Sequence, residues 1–337
     1  MPGNNLVIVG ATGLVGRTFL KVLEERRFPV DRIKLLASSR SAGKQLEFKG
    51  DRITVQEFSL DQFEKGDIAL FSAGAELSKN VAPSLVSKGV TIIDNSSAWR
   101  MEESVPLVVP EVNPLDVNLN EGIIANPNCS TIQLVVALNP LTTLASIDKL
   151  IVCSYQATSG AGASALEELK QQSEDITHQN EISVDEFPHQ IAFNVIPQID
   201  KFEEFDFTKE EWKLVNETRK IFHNQDMLIS ATCVRVPVAY GHSEAVHMDL
   251  DRKISVEDAR NAMASGEGLK IIDNPNNMEY PLAINAEGKD EVFVGRIRED
   301  LAFNNGLAMW VVADNIRKGA ATNTVQIAEL VSGSKGI

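Results

Sequence analysis

The stretch LVIVGATGLVG, Leu6 to Gly16, constrains the fold of this chain more than any other. LVIV is a short apolar run closed by a glycine. That pattern reads as a strand buried on both faces of a parallel sheet. A helical pattern follows at once, from Leu14 to Arg26, with Val15, Phe19, Val22 and Leu23 on one face. Between them Gly10, Gly13 and Gly16 form GxxGxxG rather than the commoner GxGxxG. Glycines at such a turn let the backbone approach a pyrophosphate, which rests on the N-terminus of the next helix. Strand, glycine turn and helix in this order read as a dinucleotide-binding unit.

The alternation continues downstream. IKLLAS from Ile33, DIALFSAG from Asp67, VTIIDNSS from Val90 and GIIANPNC read as strands, with a helix over Leu77 to Lys88. Strands alternating with helices predict a doubly wound, Rossmann-type parallel sheet. Ligands of such sheets bind past the carboxyl ends of the strands, where Gly10, Ser72, Asn95 and Cys129 stand. After about residue 145 the pattern changes. KLIVCSYQAT is a strand leading through SGAGAS to a helix from Ala165 to about Gln172, and Glu174 to Lys209 reads as loop. CVRVPVAYGHSEAVHMDLD alternates with period two, placing Val234, Val236 and Val238 on one face and Arg235 on the other. EVFVGRIRED and LAMWVVADN read as antiparallel strands flanking NNG, and Ser255 to Asp258 as a capping box. A last helix from Asn315 to about Val331 is expected to return to the first domain. The expectation is an α/β protein: a Rossmann-type domain, residues 1–127 with 315–337, and an α+β catalytic and dimerisation domain, residues 128–314, with an antiparallel or mixed sheet.

The end of the second strand bears on the cofactor. NAD-binding strands carry a carboxylate there for the ribose 2′-hydroxyl. This one ends ASSRSAGK, without Asp or Glu. Ser38, Ser39, Arg40 and Ser41 offer hydroxyls and a guanidinium that suit a 2′-phosphate, which favours NADP. Net charge is -15 over 337 residues, with no Lys/Arg-rich block, which argues against nucleic acid and anionic membrane surfaces as partners. Three cysteines at unrelated spacings predict neither a disulfide framework nor a metal site. No apolar run reaches the length of a membrane span, and no basic region followed by an apolar stretch opens the chain. These features predict a cytoplasmic protein.

One cysteine is unusual in its place. NPNCSTIQLVVALNPL, Asn126 to Leu141, sets Cys129 between an Asn-Pro-Asn turn and an apolar helical run. The first-turn amides of a helix are unpaired and its dipole is positive there. A thiol at that place can become a better nucleophile; the other reading is a small core cysteine. Among five histidines, His242 in AYGHSEA follows a glycine that interrupts a strand, with Arg235 seven residues before it. It is the best proton carrier of the five.

Eight segments in order carry a resemblance over nearly the whole chain: GATGLVG, SSRSAGK, DNSSAWRM, NPNCST, YQATSGAGAS, EEWKLVNETRKI, VRVPVAYGHSE and DNIRKGAATNTVQIAE. Together they resemble the aspartate-semialdehyde dehydrogenase family in its bacterial form. N-acetyl-glutamyl-phosphate reductase also has a cysteine after an Asn-Pro turn, but it differs around that cysteine and lacks the VRVP…GHSE block. The resemblance implies an NADP-dependent phosphorylating aldehyde dehydrogenase. It would convert L-aspartyl 4-phosphate to L-aspartate 4-semialdehyde reversibly, for lysine (through diaminopimelate), methionine and threonine synthesis. It implies Cys129 as the nucleophile that forms an acyl-thioester, His242 as general acid/base and Gln156 as the group that orients the substrate. Arg235 would hold the substrate carboxylate and Glu210 its amine, with Arg100, Asn128 and Lys213 on phosphate. Thr12, Gly13, Leu14, Val15, Arg40, Ser41, Ser159, Gly160 and Asn315 would contact NADP, beside the motif glycines Gly10 and Gly16. A homodimer or dimer of dimers would follow. The alternatives are reduction of another acyl phosphate, such as N-acetyl-glutamyl phosphate, and a catalytically silent NADP-binding regulator.

Overall fold

The computed structural model describes residues 3–333. The chain forms two compact units: residues up to Asn128 with those from Ala320 on, and Cys129–Gly319.

In the first unit β1 (Asn4–Val9), α1 (Leu14–Glu25) and β2 (Val30–Ala37) open the fold. A hairpin of β3 (Gln45–Phe48) and β4 (Asp51–Thr54) precedes the short β5 (Gln56–Glu57). Then come β6 (Ile68–Phe71), α2 (Ala75–Ser87), β7 (Thr91–Asp94) and β8 (Ile123–Ala125). The sheet order is β5-β2-β1-β6-β7-β8, and every pairing is parallel. Leu6 and Ile8 pack with Phe19 and Leu23 of α1, while Val7 and Val9 pack on the opposite face with Leu85 of α2. Each such side chain contributes about 1.5–3 kcal/mol on full burial. A one-residue slip of β1 would exchange these two sets of contacts.

The second unit contains α3 (Cys129–Thr142), β9 (Ile147–Gln156), α4 (Ala163–Thr177), α5 (Lys209–Ile221), β10 (Leu228–Arg235) and β11 (His242–Leu250). After these come α6 (Val256–Ala264), β12 (Leu269–Ile271), the one-turn α7 (Ala283–Ala286), β13 (Val292–Glu299) and β14 (Gly306–Ala313). The sheet is mixed, in the order β10-β9-β11-β14-β13-β12. Its outer pairs β10–β9 and β13–β12 are parallel and the pairs between them antiparallel. Every residue of α3 from Ser130 to Leu138 is buried. The helix is packed on all sides, against α5, α6, β9, β13 and β14.

On β10 the expected alternation holds: Ala231, Cys233 and Arg235 share the covered face, and Val234 lies on the other, partly exposed. Glu210 offsets the buried guanidinium. Three expectations are corrected. At Ser255 the cap is half a box. Its hydroxyl accepts from the Asp258 amide at 3.0 Å and donates to the Asp258 carboxylate at 2.7 Å. A full reciprocal box instead opens α5, between Thr208 and Glu211, whose longer side chain reaches back to the cap amide. The helix after SGAGAS continues to Thr177. The last helix does not run evenly from Asn315: Arg317–Thr322 is a π-type turn, and α8 follows over Asn323–Ser332. Among the described residues no helix is long and apolar enough to cross a membrane, and no group of three or more His, Cys, Asp or Glu could hold a metal ion.

Candidate active site

Three strands of the second unit bring their ends to one edge of the mixed sheet. Arg235, last in β10, pairs with Gln156, last in β9. β11 runs the other way, with Ser243 opposite Tyr155, so its first residue His242 falls opposite Gln156. The pleat puts Arg235, Gln156 and His242 on one face, in one cross-strand row. All three are buried.

The first turn of α3 meets this row. The Gln156 amide nitrogen donates to Ser130 Oγ at 2.8 Å, to Glu210 Oε1 at 3.0 Å and to Ser154 Oγ at 3.2 Å. Arg235 Nη1 donates to the Ala157 carbonyl at 2.6 Å. Burial lowers the Arg235 pKa, and the nearby Glu210 and Cys129 pull it back up. Cys129 is partly exposed and is also flanked by Gly319, where a Cβ would lie 2.8 Å from Cys129 Cβ. Asp314 builds the turn that brings Gly319 there. Its carboxylate accepts from the Ile316, Arg317 and Gly288 amides, and its carbonyl from the Gly319 amide.

His242 is completely buried, and its Nδ1 accepts from the Ala157 amide at 3.0 Å. The neutral ring therefore carries its proton on Nε2. Nε2 meets no hydrogen-bond partner among the described residues. Burial, with Arg235 adding to it and Glu210 opposing, lowers the imidazole pKa to about 3. The ring is neutral at pH 7 and presents a donor. Gly160 keeps that donor clear, since a Cβ there would lie 3.1 Å from Nε2.

The other candidates of this unit pair among themselves. Lys213 bridges Glu210 at 2.9 Å and Asp200 at 3.2 Å. Asn315 donates to Ser159 Oγ at 3.0 Å and accepts from the Gly241 amide at 3.0 Å, tying together the loops before α4 and before β11. In the first unit, Gly10 has φ +84°, and a Cβ there would lie 2.2 Å from the Ser72 carbonyl oxygen. A Cβ on Gly16 would lie 2.2 Å from the Gly10 carbonyl oxygen. These glycines fold the turn tightly, and Thr12, Gly13, Leu14 and Val15 form the mouth of α1. Arg40 and Ser41 lie in a short turn past β2, with Arg40 exposed. Arg100 is buried and donates to the backbone carbonyls of Asn126 and Asn95 at 3.0 and 2.8 Å. Asn128 is buried as well.

Ser130, Ser154, Gly319 and Asp314 were not singled out from the sequence. Ser130 had a signal, its place beside Cys129 in the first helical turn. The others meet the site through pairings between distant segments.

The comparisons with known proteins agree along the chain. A family model described as semialdehyde dehydrogenase, NAD binding domain, matches residues 5–119, and one described as semialdehyde dehydrogenase, dimerisation domain, matches residues 138–318. An aspartate-semialdehyde dehydrogenase of Aquifex aeolicus is 59% identical over 333 residues, 98% of either chain. Among solved structures, aspartate semialdehyde dehydrogenase II of Vibrio cholerae complexed with ASA superposes with a TM-score of 0.95, at 46% identity and 99% coverage of both chains. The Candida albicans enzyme with NADP gives 0.75 at 26% identity, covering 99% of this chain and all of that one (100%).

Proposed function

We propose a reaction from one premise: the chain belongs to the aspartate-semialdehyde dehydrogenase family and is an enzyme, an oxidoreductase of amino-acid biosynthesis. The reaction is the reversible, NADP-dependent interconversion of L-aspartyl 4-phosphate and L-aspartate 4-semialdehyde. The observation that carries it is the buried row Arg235–Gln156–His242 set against the helix that starts at Cys129. The resemblance to the Vibrio cholerae enzyme complexed with ASA supports the substrate.

In the oxidative direction the Cys129 thiolate, its proton lost to solvent, adds to the aldehyde carbon and makes the oxyanion of a thiohemiacetal, which becomes the thioester carbonyl as hydride leaves. Amide donors in the first turn of α3 stabilise the developing oxyanion, and His242 donates to the same oxygen from Nε2. The dinucleotide, when bound, supplies or removes the hydride. Phosphate then attacks the thioester carbon, sulfur leaves, and the acyl phosphate departs. Gln156, held by Ser130 and Glu210, orients the carbonyl. Arg235 pairs with the substrate carboxylate, and Glu210 with its free amine, which an acetylated amine could not match. Lys213 is assigned to phosphate, as are Arg100 and Asn128 of the first unit.

The glycine turn fits a dinucleotide. Gly10 and Gly16 pack where a Cβ would collide, and no acidic residue stands in the first turn of α1 to repel a pyrophosphate. The first unit is thus the NADP-binding domain and the second the catalytic and dimerisation domain. Ser159, Gly160 and Asn315 are assigned to the cofactor with the glycine turn. Arg40 and Ser41 would read the 2′-phosphate, which makes NADP the preferred cofactor. Arg40→Ala should weaken NADP by roughly ten- to a hundred-fold, the value of one charge-assisted contact, and leave NAD almost unchanged. Specificity constants for both cofactors check this, and unchanged discrimination would remove Arg40 from the reading. The protein would act in the cytoplasm as a homodimer or dimer of dimers. The outer face of the mixed sheet, with Ile151, Tyr155 and Leu228 exposed, offers apolar side chains to a second copy.

The deciding experiment is phosphate-dependent NADPH formation from aspartate semialdehyde, measured in parallel with N-acetyl-glutamate semialdehyde. Formation with the acetylated aldehyde alone would overturn the assignment.

A further inference from the structure

Beneath the row Arg235–Gln156–His242 lies a second row on the same face. Glu244 of β11 pairs with Ser154 of β9, and Ser154 with Cys233 of β10. Residues two apart on a strand share a face about 6.6–6.8 Å apart. Glu244 therefore stands below His242, Ser154 below Gln156 and Cys233 below Arg235. All three of these lower residues are wholly buried. Gln133, also buried, lies on α3 four residues after Cys129, one helical turn along the same face.

Both carboxyl oxygens of Glu244 and both amide atoms of Gln133 lack a partner of normal hydrogen-bond geometry among the described residues. Yet the Gln133 amide is close enough to favour an ionised Glu244, against the burial that pushes this carboxyl well above its usual range. A carboxylic acid and a primary amide are complementary. The acid O–H donates to the amide oxygen, and the amide N–H donates to the acid carbonyl. A carboxylate has no donor and would leave the amide oxygen facing negative charge. Pairing the two side chains would satisfy four buried atoms, provided that the proton stays on Glu244. An ionised Glu244 would also draw a proton onto His242, one row above.

We propose that Glu244 is a positioning residue: as a neutral acid paired with Gln133 it ties β11 to α3 and sets Cys129 relative to the His242–Gln156–Arg235 row. This rests on the reading of Cys129 as nucleophile. The titratable groups facing Glu244 are Cys233 in its own row, Glu210 and Glu211 of α5 beyond that thiol, and His242 above.

The test uses the full-length protein with Glu244→Gln, Glu244→Leu, Gln133→Leu and the double leucine variant. For each, kcat, both substrate KM values, the pH profile and the rate of Cys129 alkylation by iodoacetamide are measured. Glu244→Gln should keep kcat within about threefold and leave the pH profile unmoved, because an amide pair replaces the acid–amide pair. Each leucine variant should lose about tenfold or more in kcat and slow alkylation, with KM values nearly unchanged, as misplacement of a reacting group does. The double variant should be no worse than either single one, because both remove the same pair. If the leucine variants do not fold, Gln133→Asn, one methylene shorter, should show the same split between kcat and KM. The melting temperature of Glu244→Gln relative to wild type should rise from pH 4.5 to 7.5. The wild-type fold must hold a proton that the unfolded chain releases over that range. A Glu244→Gln variant as impaired as the leucine variant, or with a shifted profile, would overturn the neutral pair. So would a folded leucine or asparagine variant with wild-type kcat and alkylation. Activity in Cys129→Ser would instead defeat the nucleophile reading, while Cys129 alkylation would still report on the pairing.

Discussion

The three thiols of the chain sit in different chemical surroundings. Cys129 is partly exposed at the mouth of α3. Burial raises the pKa of Cys153, and raises that of Cys233 well above the usual thiol range, with Glu210 adding to the effect. Alkylation should reach Cys129 first, and Cys129→Ser should abolish turnover while dinucleotide affinity stays near normal. Equal labelling of the three, or an active serine variant, would remove Cys129 from its role. The cations separate by chemistry as well. Arg235→Ala should raise the KM for the aldehyde, whereas Arg100→Ala should raise the KM for phosphate. Each variant removes a charge-assisted contact of about 1.5–3 kcal/mol. Steady-state kinetics with each substrate varied in turn will show whether the two roles are reversed. The place of Cys129 at the start of a helix was legible in the sequence because it is set locally, by a turn, a thiol and a helical run within a few residues. The inward face of Arg235 was not, since period two marks two faces without saying which one is covered.

Among the elements, the π-type turn Arg317–Thr322 has the sharpest consequence. Its geometry, fixed by Asp314, carries Gly319 against Cys129. A methyl group at Gly319 would lie 2.8 Å from Cys129 Cβ and 3.3 Å from its Cα, and neither atom belongs to a flexible side-chain end. Gly319→Ala should therefore lower kcat by about tenfold or more through a shift of the thiol by a fraction of an ångström. Dinucleotide affinity, read by fluorescence titration, should stay unchanged. Wild-type kcat in a folded alanine variant would mean that α3 yields freely at its first residue. The single helix expected from Asn315 missed this turn, because the Asp314 carboxylate and carbonyl set it rather than any pattern of apolar positions.

At the scale of the whole molecule, the buried ionisable groups shape stability against pH. The folded His242 has a pKa of about 3, against about 6.5 for an unfolded histidine. Between those values the unfolded chain binds a proton that the folded chain refuses. The contribution is full above pH 6.5 and is lost as pH falls toward 3, with a slope of at most about 1.4 kcal/mol per unit. His242→Gln should flatten this part of the acid limb. Urea midpoints at pH 7 and pH 5 test it, and an equal loss in wild type and variant would mean that His242 is solvated. Glu244 acts with the opposite sign, since its raised pKa makes the fold lose stability as pH rises above the usual carboxyl range.

Local pattern sufficed for the glycine turn between β1 and α1, the parallel sheet around it, the second α+β unit and the partly exposed start of α3 at Cys129. These follow from apolar periodicity, turn chemistry and helix ends, all of which act over a few residues. Tertiary structure alone decided which side chains share a row. Ala157 and His242, 85 residues apart, fix the imidazole tautomer; Gln156 and Glu210, 54 apart, hold the amide in the site. The proposed pair of Glu244 and Gln133 likewise joins a strand and a helix that are far apart in the chain. Sheet register and helix packing choose such partners through long-range pairing, which no local pattern of residues records.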